Sequence, residues 1–169
     1  LELLLRVSPA LRAMNLYNGG IHGSWVERDI EGNFVRQEKW GLCVASVARG
    51  IAASRSLVTL NLRHFSLSGT AGEAIAAAVC EHATLATLRL VNCGLTPAAL
   101  SKMLSKNKRL TTFALNDNAL PDGHDLEAVA KFGGSNMALK SLSLMGCSIS
   151  PAASKELAEM VRTNAAKGG

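Results

Sequence analysis

Leu57-Val58-Thr59-Leu60-Asn61-Leu62, with Phe65 and Leu67 after it, opens a stretch that the chain repeats. Leu85-Ala86-Thr87-Leu88-Arg89-Leu90 is followed by Cys93 and Leu95. Leu110-Thr111-Thr112-Phe113-Ala114-Leu115 is followed by Asn118 and Leu120, and Leu139-Lys140-Ser141-Leu142-Ser143-Leu144 by Cys147 and Ile149. The copies follow L-x-x-L-x-L-x-x-N/C-x-L. They start at 57, 85, 110 and 139, in steps of 28, 25 and 29. A weaker copy starts at 11, with Leu11, Met14, Leu16, Gly19 and Ile21. A period in this range marks an architecture of stacked units.

Each unit has two halves. Apolar residues at the fourth and sixth positions alternate with small or polar ones, the period-two pattern of a strand with one buried face. A helix then follows with its own start signal. Thr96-Pro97 and Ser150-Pro151 set a capping side chain before a proline at the first helical position. Apolar residues recur at helical spacing in Ile75 and Val79, in Leu100, Met103 and Leu104, in Leu126 and Val129, and in Leu157, Met160 and Val161. One strand and one helix cannot bury these faces alone, so the units are expected to stack and stabilise their neighbours.

Pattern, period and the N/C position resemble the leucine-rich repeat family, specifically its ribonuclease-inhibitor-like class. Similar repeats occur in NOD-like receptors and Ran GTPase-activating proteins. The resemblance covers nearly the whole chain. It implies an α/β solenoid, a horseshoe arc of about five strand–helix repeats with a parallel sheet on the concave face, and residues 1–169 as one domain. It also implies that Cys93, Asn118 and Cys147, at the N/C position, form a structural ladder bonded to backbone after each strand. It implies no particular function, because one fold hosts many.

Composition agrees with a packed repeat. Apolar residues make up 48% of the 169 and aromatics only 4%, so Leu, Ala and Val must fill the core. Lys and Arg outnumber Asp and Glu by 18 to 13, a mild excess. No apolar run approaches the roughly 18 residues of a membrane-spanning helix. Cys43, Cys80, Cys93 and Cys147 match neither a disulfide framework nor a CxxC metal site, and a reducing intracellular compartment is expected. That location is read as cytoplasmic, with an organelle such as a mitochondrion or a cilium left open. The opening Leu1 to Ser8 reads as the tail of a preceding helix without an initiator Met, which suggests a fragment of a longer chain.

The step from 11 to 57 is 46 residues, and the excess falls at about 22–38. Gly32-Asn33 sits there between two β-prone runs, the signature of a hairpin. Insertions into repeats map to loops on one face, often the binding face. Trp25 and Phe34 are therefore candidate partner contacts, or else pack down on the first repeat as an edge cover.

The concave strand face supplies the other candidates. Tyr17, Asn61, Arg63, Arg89, Asn116 and Met145 fall at its outward positions, and Tyr and Arg are enriched at interface hot spots. The chain shows no catalytic constellation. Cys80-Glu81-His82 lacks the second ligand pair of a zinc site. Gly19 to Gly23 and Gly69 to Gly72 match no phosphate-binding motif and read as turns. Lys106, Lys108, Arg109, Lys131, Arg162 and Lys167 fall near helix ends, where cations complement the helix dipole. Lined up along one rim they could touch RNA.

The expectation is a non-catalytic protein–protein interaction scaffold, a structural subunit of a larger intracellular complex. It needs no metal, no cofactor, no small-molecule substrate and no membrane insertion. The alternatives are a regulatory repeat domain of a signalling protein, and a ribonucleoprotein subunit touching nucleic acid through that basic rim.

Overall fold

A computed structural model of the chain describes residues 11–17, 27–28, 34–35, 38–118, 124–136 and 138–166. The period-two segments form strands β1 (Ala13–Tyr17), β4 (Thr59–Arg63), β5 (Thr87–Val91), β6 (Thr112–Ala114) and β7 (Ser141–Ser143). Helices α1 (Glu38–Ala53), α2 (Gly69–Cys80), α3 (Pro97–Ser105), α4 (His124–Ser135) and α5 (Pro151–Ala166) alternate with them. The five strands make one parallel sheet in the order β1-β4-β5-β6-β7, and each helix packs on the next. This is the α/β strand–helix solenoid that the period predicts.

Register follows the repeat. Ala13, Thr59, Thr87, Thr112 and Ser141 pair in one column, and Met14, Leu60, Leu88, Phe113 and Leu142 in the next. The second column points inward and meets the helices. Ile51, Leu57, Leu60, Leu62, Ile75, Leu88, Leu90, Leu100 and Phe113 are fully buried there. With few aromatics available, the core is a stack of leucines. Phe113 takes a leucine's place and meets Phe132 edge-on at 6.1 Å. Burying each such side chain is worth about 1.5–3 kcal/mol.

The helix starts work as their sequence suggests. Thr96 Oγ1 accepts from the Ala99 amide at 3.2 Å and Pro97 opens α3; Ser150 Oγ accepts from the Ala153 amide at 3.1 Å. After β4, β5, β6 and β7 the chain passes through a left-handed residue: His64 (φ 58°), Asn92 (φ 49°), Asp117 (φ 56°) and Gly146 (φ 71°). Their steps are those of the strands. Asn, Asp, His and Gly are the residue types that tolerate this conformation. A side chain at Gly146 would also collide with Asp117 Oδ1.

Four details depart from the reading of the sequence. Val161 is 59% exposed, because among the described residues α5 has a helix on one side only. Val91 and Ala114 fall at outward positions of the period-two count, yet their short side chains are buried on the floor of the sheet. Phe65 holds the N/C place in its repeat and is buried among apolar residues. Arg162 and Lys131 sit a turn inside α5 and α4, not at their ends. Leu1 to Ser8, Leu120 and Lys167 lie outside the described residues.

The extra residues of the first repeat include a short antiparallel pair, β2 (Glu27–Arg28) with β3 (Phe34–Val35). Its antiparallel sense is the one expected of a hairpin, and Gly32-Asn33 itself lies outside the described residues. Trp25 lies outside the described residues, and of Phe34 only its place in β3 is described.

Candidate functional site

The outward residues of the five strands floor a groove of about 770 Å³. Its lining includes Asn15, Tyr17, Asn61, Arg63, Arg89, Asn116, Ser141 and Ser143. Five of the six predicted concave residues thus come together: Tyr17, Asn61, Arg63, Arg89 and Asn116. Met145 is not in the lining. It is 69% exposed beyond the end of β7, where its amide donates to Asn116 Oδ1 at 3.1 Å.

The strand register decides which of these side chains meet. Asn15 and Asn61 pair across β1 and β4, and Asn61 Nδ2 donates to Asn15 Oδ1. Asn61 Oδ1 is enclosed and lacks a donor. A buried acceptor left in this way costs about 1–3 kcal/mol. Asn61 is in register with Arg89, and Arg63 with Val91. The two arginines are therefore diagonal neighbours on adjacent strands. At the other end Asn116 Oδ1 accepts from Ser143 Oγ at 2.8 Å. One wall is fixed by Tyr17, whose ring meets His64 edge-on at 5.2 Å, while His64 Nδ1 accepts from Asn92 Nδ2 at 3.0 Å.

Charge in the groove has one sign. Arg63 and Arg89 are exposed, and the residues named in its lining include neither Asp nor Glu. Neither arginine has an ionic partner among the described residues. The surface can therefore offer guanidinium forks, amides and hydroxyls to a polar or anionic partner.

The N/C ladder lies behind this face. Asn118 Oδ1 accepts from the amides of Cys93 at 2.8 Å and Gly94 at 3.2 Å. Asn118 Nδ2 donates to the carbonyls of Leu90, Leu115 and Asn116. Cys93 Sγ donates to Leu62 O at 3.3 Å, and Cys147 Sγ to Leu115 O at 2.9 Å. Burial pushes the Cys93 thiol up to about 11 and raises that of Cys147.

A second column went unread in the sequence. Ser54, His82, Asn107 and Asn136 are buried where each helix turns into the next strand, in the same steps of 28, 25 and 29. Asn107 Oδ1 accepts from the Arg109 and Leu110 amides, and its Nδ2 donates to Val79 O at 3.1 Å. Asn136 Nδ2 donates to Leu110 O at 3.2 Å, and its Oδ1 accepts from the Ala138 amide at 2.8 Å. His82 Nδ1 accepts from the Thr84 amide at 3.4 Å, so Nε2 carries the proton and donates to Ile51 O at 3.1 Å. Burial lowers its pKa. His82 is thereby committed to backbone, and no group of three or more His, Cys, Asp or Glu that could hold a metal occurs among the described residues.

The basic rim is partly engaged within the fold. Lys106 Nζ pairs with Glu81 at 2.8 Å, which raises the lysine and lowers the carboxyl. Lys108 Nζ donates to Ser135 O at 3.5 Å, and Arg162 pairs with Glu159 at 3.1 Å. No helix among the described residues is long and apolar enough to cross a membrane.

Comparison with known proteins supports the architecture. No family model matches the chain. The mouse NACHT, LRR and PYD domains-containing protein 14 is 34% identical over 136 residues, which is 72% of this chain. The chain spans 13% of that relative's length. A solved structure of leiomodin-1 actin-binding site 2 superposes with a TM-score of 0.66, covering 99% of this chain and 88% of that one at 14% identity. At that identity the likeness concerns the fold. Similarity to a protein with LRR in its name and likeness to a solved fold agree on a repeat solenoid.

Proposed function

We propose that this chain is a leucine-rich repeat module of the ribonuclease-inhibitor-like class that binds other proteins through its concave sheet. The observation that carries this reading is the groove: outward polar side chains from five strands, held in register on a rigid core. Exposed Tyr and Arg on a fixed scaffold are the side chains from which protein interfaces draw their energy. The mouse relative carries LRR repeats by name, and the leiomodin site is an actin-binding one by title. Both suit a protein-binding role without naming a partner for this chain. Its work is structural and non-catalytic, as a subunit of a larger intracellular, cytoplasmic assembly. The RNA-contacting reading has less behind it, since three of the basic residues it would draw on already have partners within the chain.

The test is recovery of the tagged protein from its native cells, beside a Tyr17→Ala/Arg63→Ala/Asn116→Ala variant whose circular dichroism matches the parent. Stoichiometric proteins that accompany the parent and are lost from the variant are the expected outcome. Equal recovery by both would remove the concave face from the account. Nuclease-sensitive recovery of ribosomal proteins would favour the RNA reading instead.

A further inference from the structure

We infer that the groove receives an acidic peptide segment of a protein partner, with Asp or Glu side chains seated on Arg63 and Arg89. The inference deepens the docking role proposed above and rests on it. With strands about 4.8 Å apart and a rise of about 3.3 Å per residue, diagonal neighbours on adjacent strands lie about 8 Å apart. Here both positions carry a guanidinium, both are exposed, and no described carboxylate pairs with either. Two like charges held side by side without a counter-charge in the fold attract an anion from outside. Guanidinium forks bind carboxylates through two parallel hydrogen bonds, which fixes geometry as well as charge.

The surroundings favour a peptide over a nucleic acid. Asn61 beside the arginines, and Asn116 and Ser143 toward the other end, line the same groove with amide and hydroxyl groups suited to a polypeptide backbone. A polynucleotide binds through many phosphates, and this groove brings two cations. Single-stranded nucleic acid also wants a free aromatic face for its bases. Tyr17 alone among the lining residues is an exposed aromatic, where successive bases need a row of them.

The experiment measures fluorescence anisotropy of a labelled peptide of alternating Glu and Gly with the whole chain. A Gln–Gly peptide and an oligouridine of equal charge serve as comparisons. The Glu peptide is expected to bind and weaken with salt, and the Gln peptide to fail. Arg63→Gln and Arg89→Gln should each cost about tenfold in affinity. Lys131→Gln, at an exposed site on α4, should cost nothing. No binding of the Glu peptide, equal binding of the Gln peptide, indifference to both arginines, or tighter binding of oligouridine would each overturn the inference. Loss of the cellular partner on Asn116→Ala but not on either arginine change would discard the acidic partner alone and leave concave docking standing.

Discussion

Asn118 serves five backbone groups with one side chain: its Oδ1 accepts from two amides, and the two hydrogens of Nδ2 are shared among three carbonyls. Cys93 and Cys147, at the same repeat position, donate through sulfur to carbonyls. The difference is chemical, since a thiol is a weak donor and a weak acceptor. Asn118→Ala leaves the Cys93 amide without its partner in a buried place. It should destabilise the protein by about 3 kcal/mol, read as a lower urea midpoint at unchanged slope. A change under about 0.5 kcal/mol would mean that water serves those groups equally well. The cysteines allow a second check. The thiolate is the reactive form, and burial holds Cys93 in its thiol form up to about 11. Native protein at pH 8 should leave Cys93 unalkylated by iodoacetamide, as read by mass spectrometry, while urea-unfolded protein is alkylated there. Rapid labelling of native Cys93 would contradict its described burial.

Between a helix and the next strand, the second column of buried polar residues turns the chain. Ser54, His82, Asn107 and Asn136 meet the same demand with different side chains. His82 meets it only when neutral, because its Nδ1 must stay an acceptor for Thr84. Its folded pKa lies below the usual 6.5, chiefly through burial. The unfolded chain therefore binds a proton first as pH falls. Stability from this group is complete above about pH 6.5 and is lost as pH drops from there toward the lowered folded value. His82→Asn puts an amide where its neighbours Asn107 and Asn136 already have one. The drop in unfolding midpoint between pH 8 and pH 5.5 should shrink in this variant. An unchanged drop would assign the pH dependence to other groups.

The same column shows what a sequence read by pattern misses. Strands and helices were legible because Leu, Ile and Val recur at periods of two and 3.6. The turn column was hidden because Ser, His and Asn look unlike one another, although hydrogen bonding makes them equivalent. The left-handed column of His64, Asn92, Asp117 and Gly146 was equally available at the strand spacing. Within the groove, Tyr17, Asn61, Arg63, Arg89 and Asn116 were reachable by counting along each copy. The weight of Asn15 and Ser143 emerges only from cross-strand pairing. For Asn15 that pairing spans 46 residues, across the insert that breaks the period. Val161 was misassigned because helical spacing identifies an apolar face without telling whether a neighbour covers it.

At the scale of the molecule, stability and site share one origin. Each repeat buries its strand and helix only against the next, so stacking that fills the core also brings five outward rows into one curved surface. No single repeat contains the groove. Partner binding is accordingly expected to track the integrity of the stack and to concentrate on its concave side. The decisive measurement is site-specific photo-cross-linking in the native cells, with benzoylphenylalanine placed singly at Tyr17 or Ser141 on the strand side, and at Glu73 or Lys155 on the exposed helix side. The account predicts one shared protein adduct from Tyr17 and Ser141 and none of it from Glu73 or Lys155. The same adduct from the helix positions, with none from the strand positions, would contradict it.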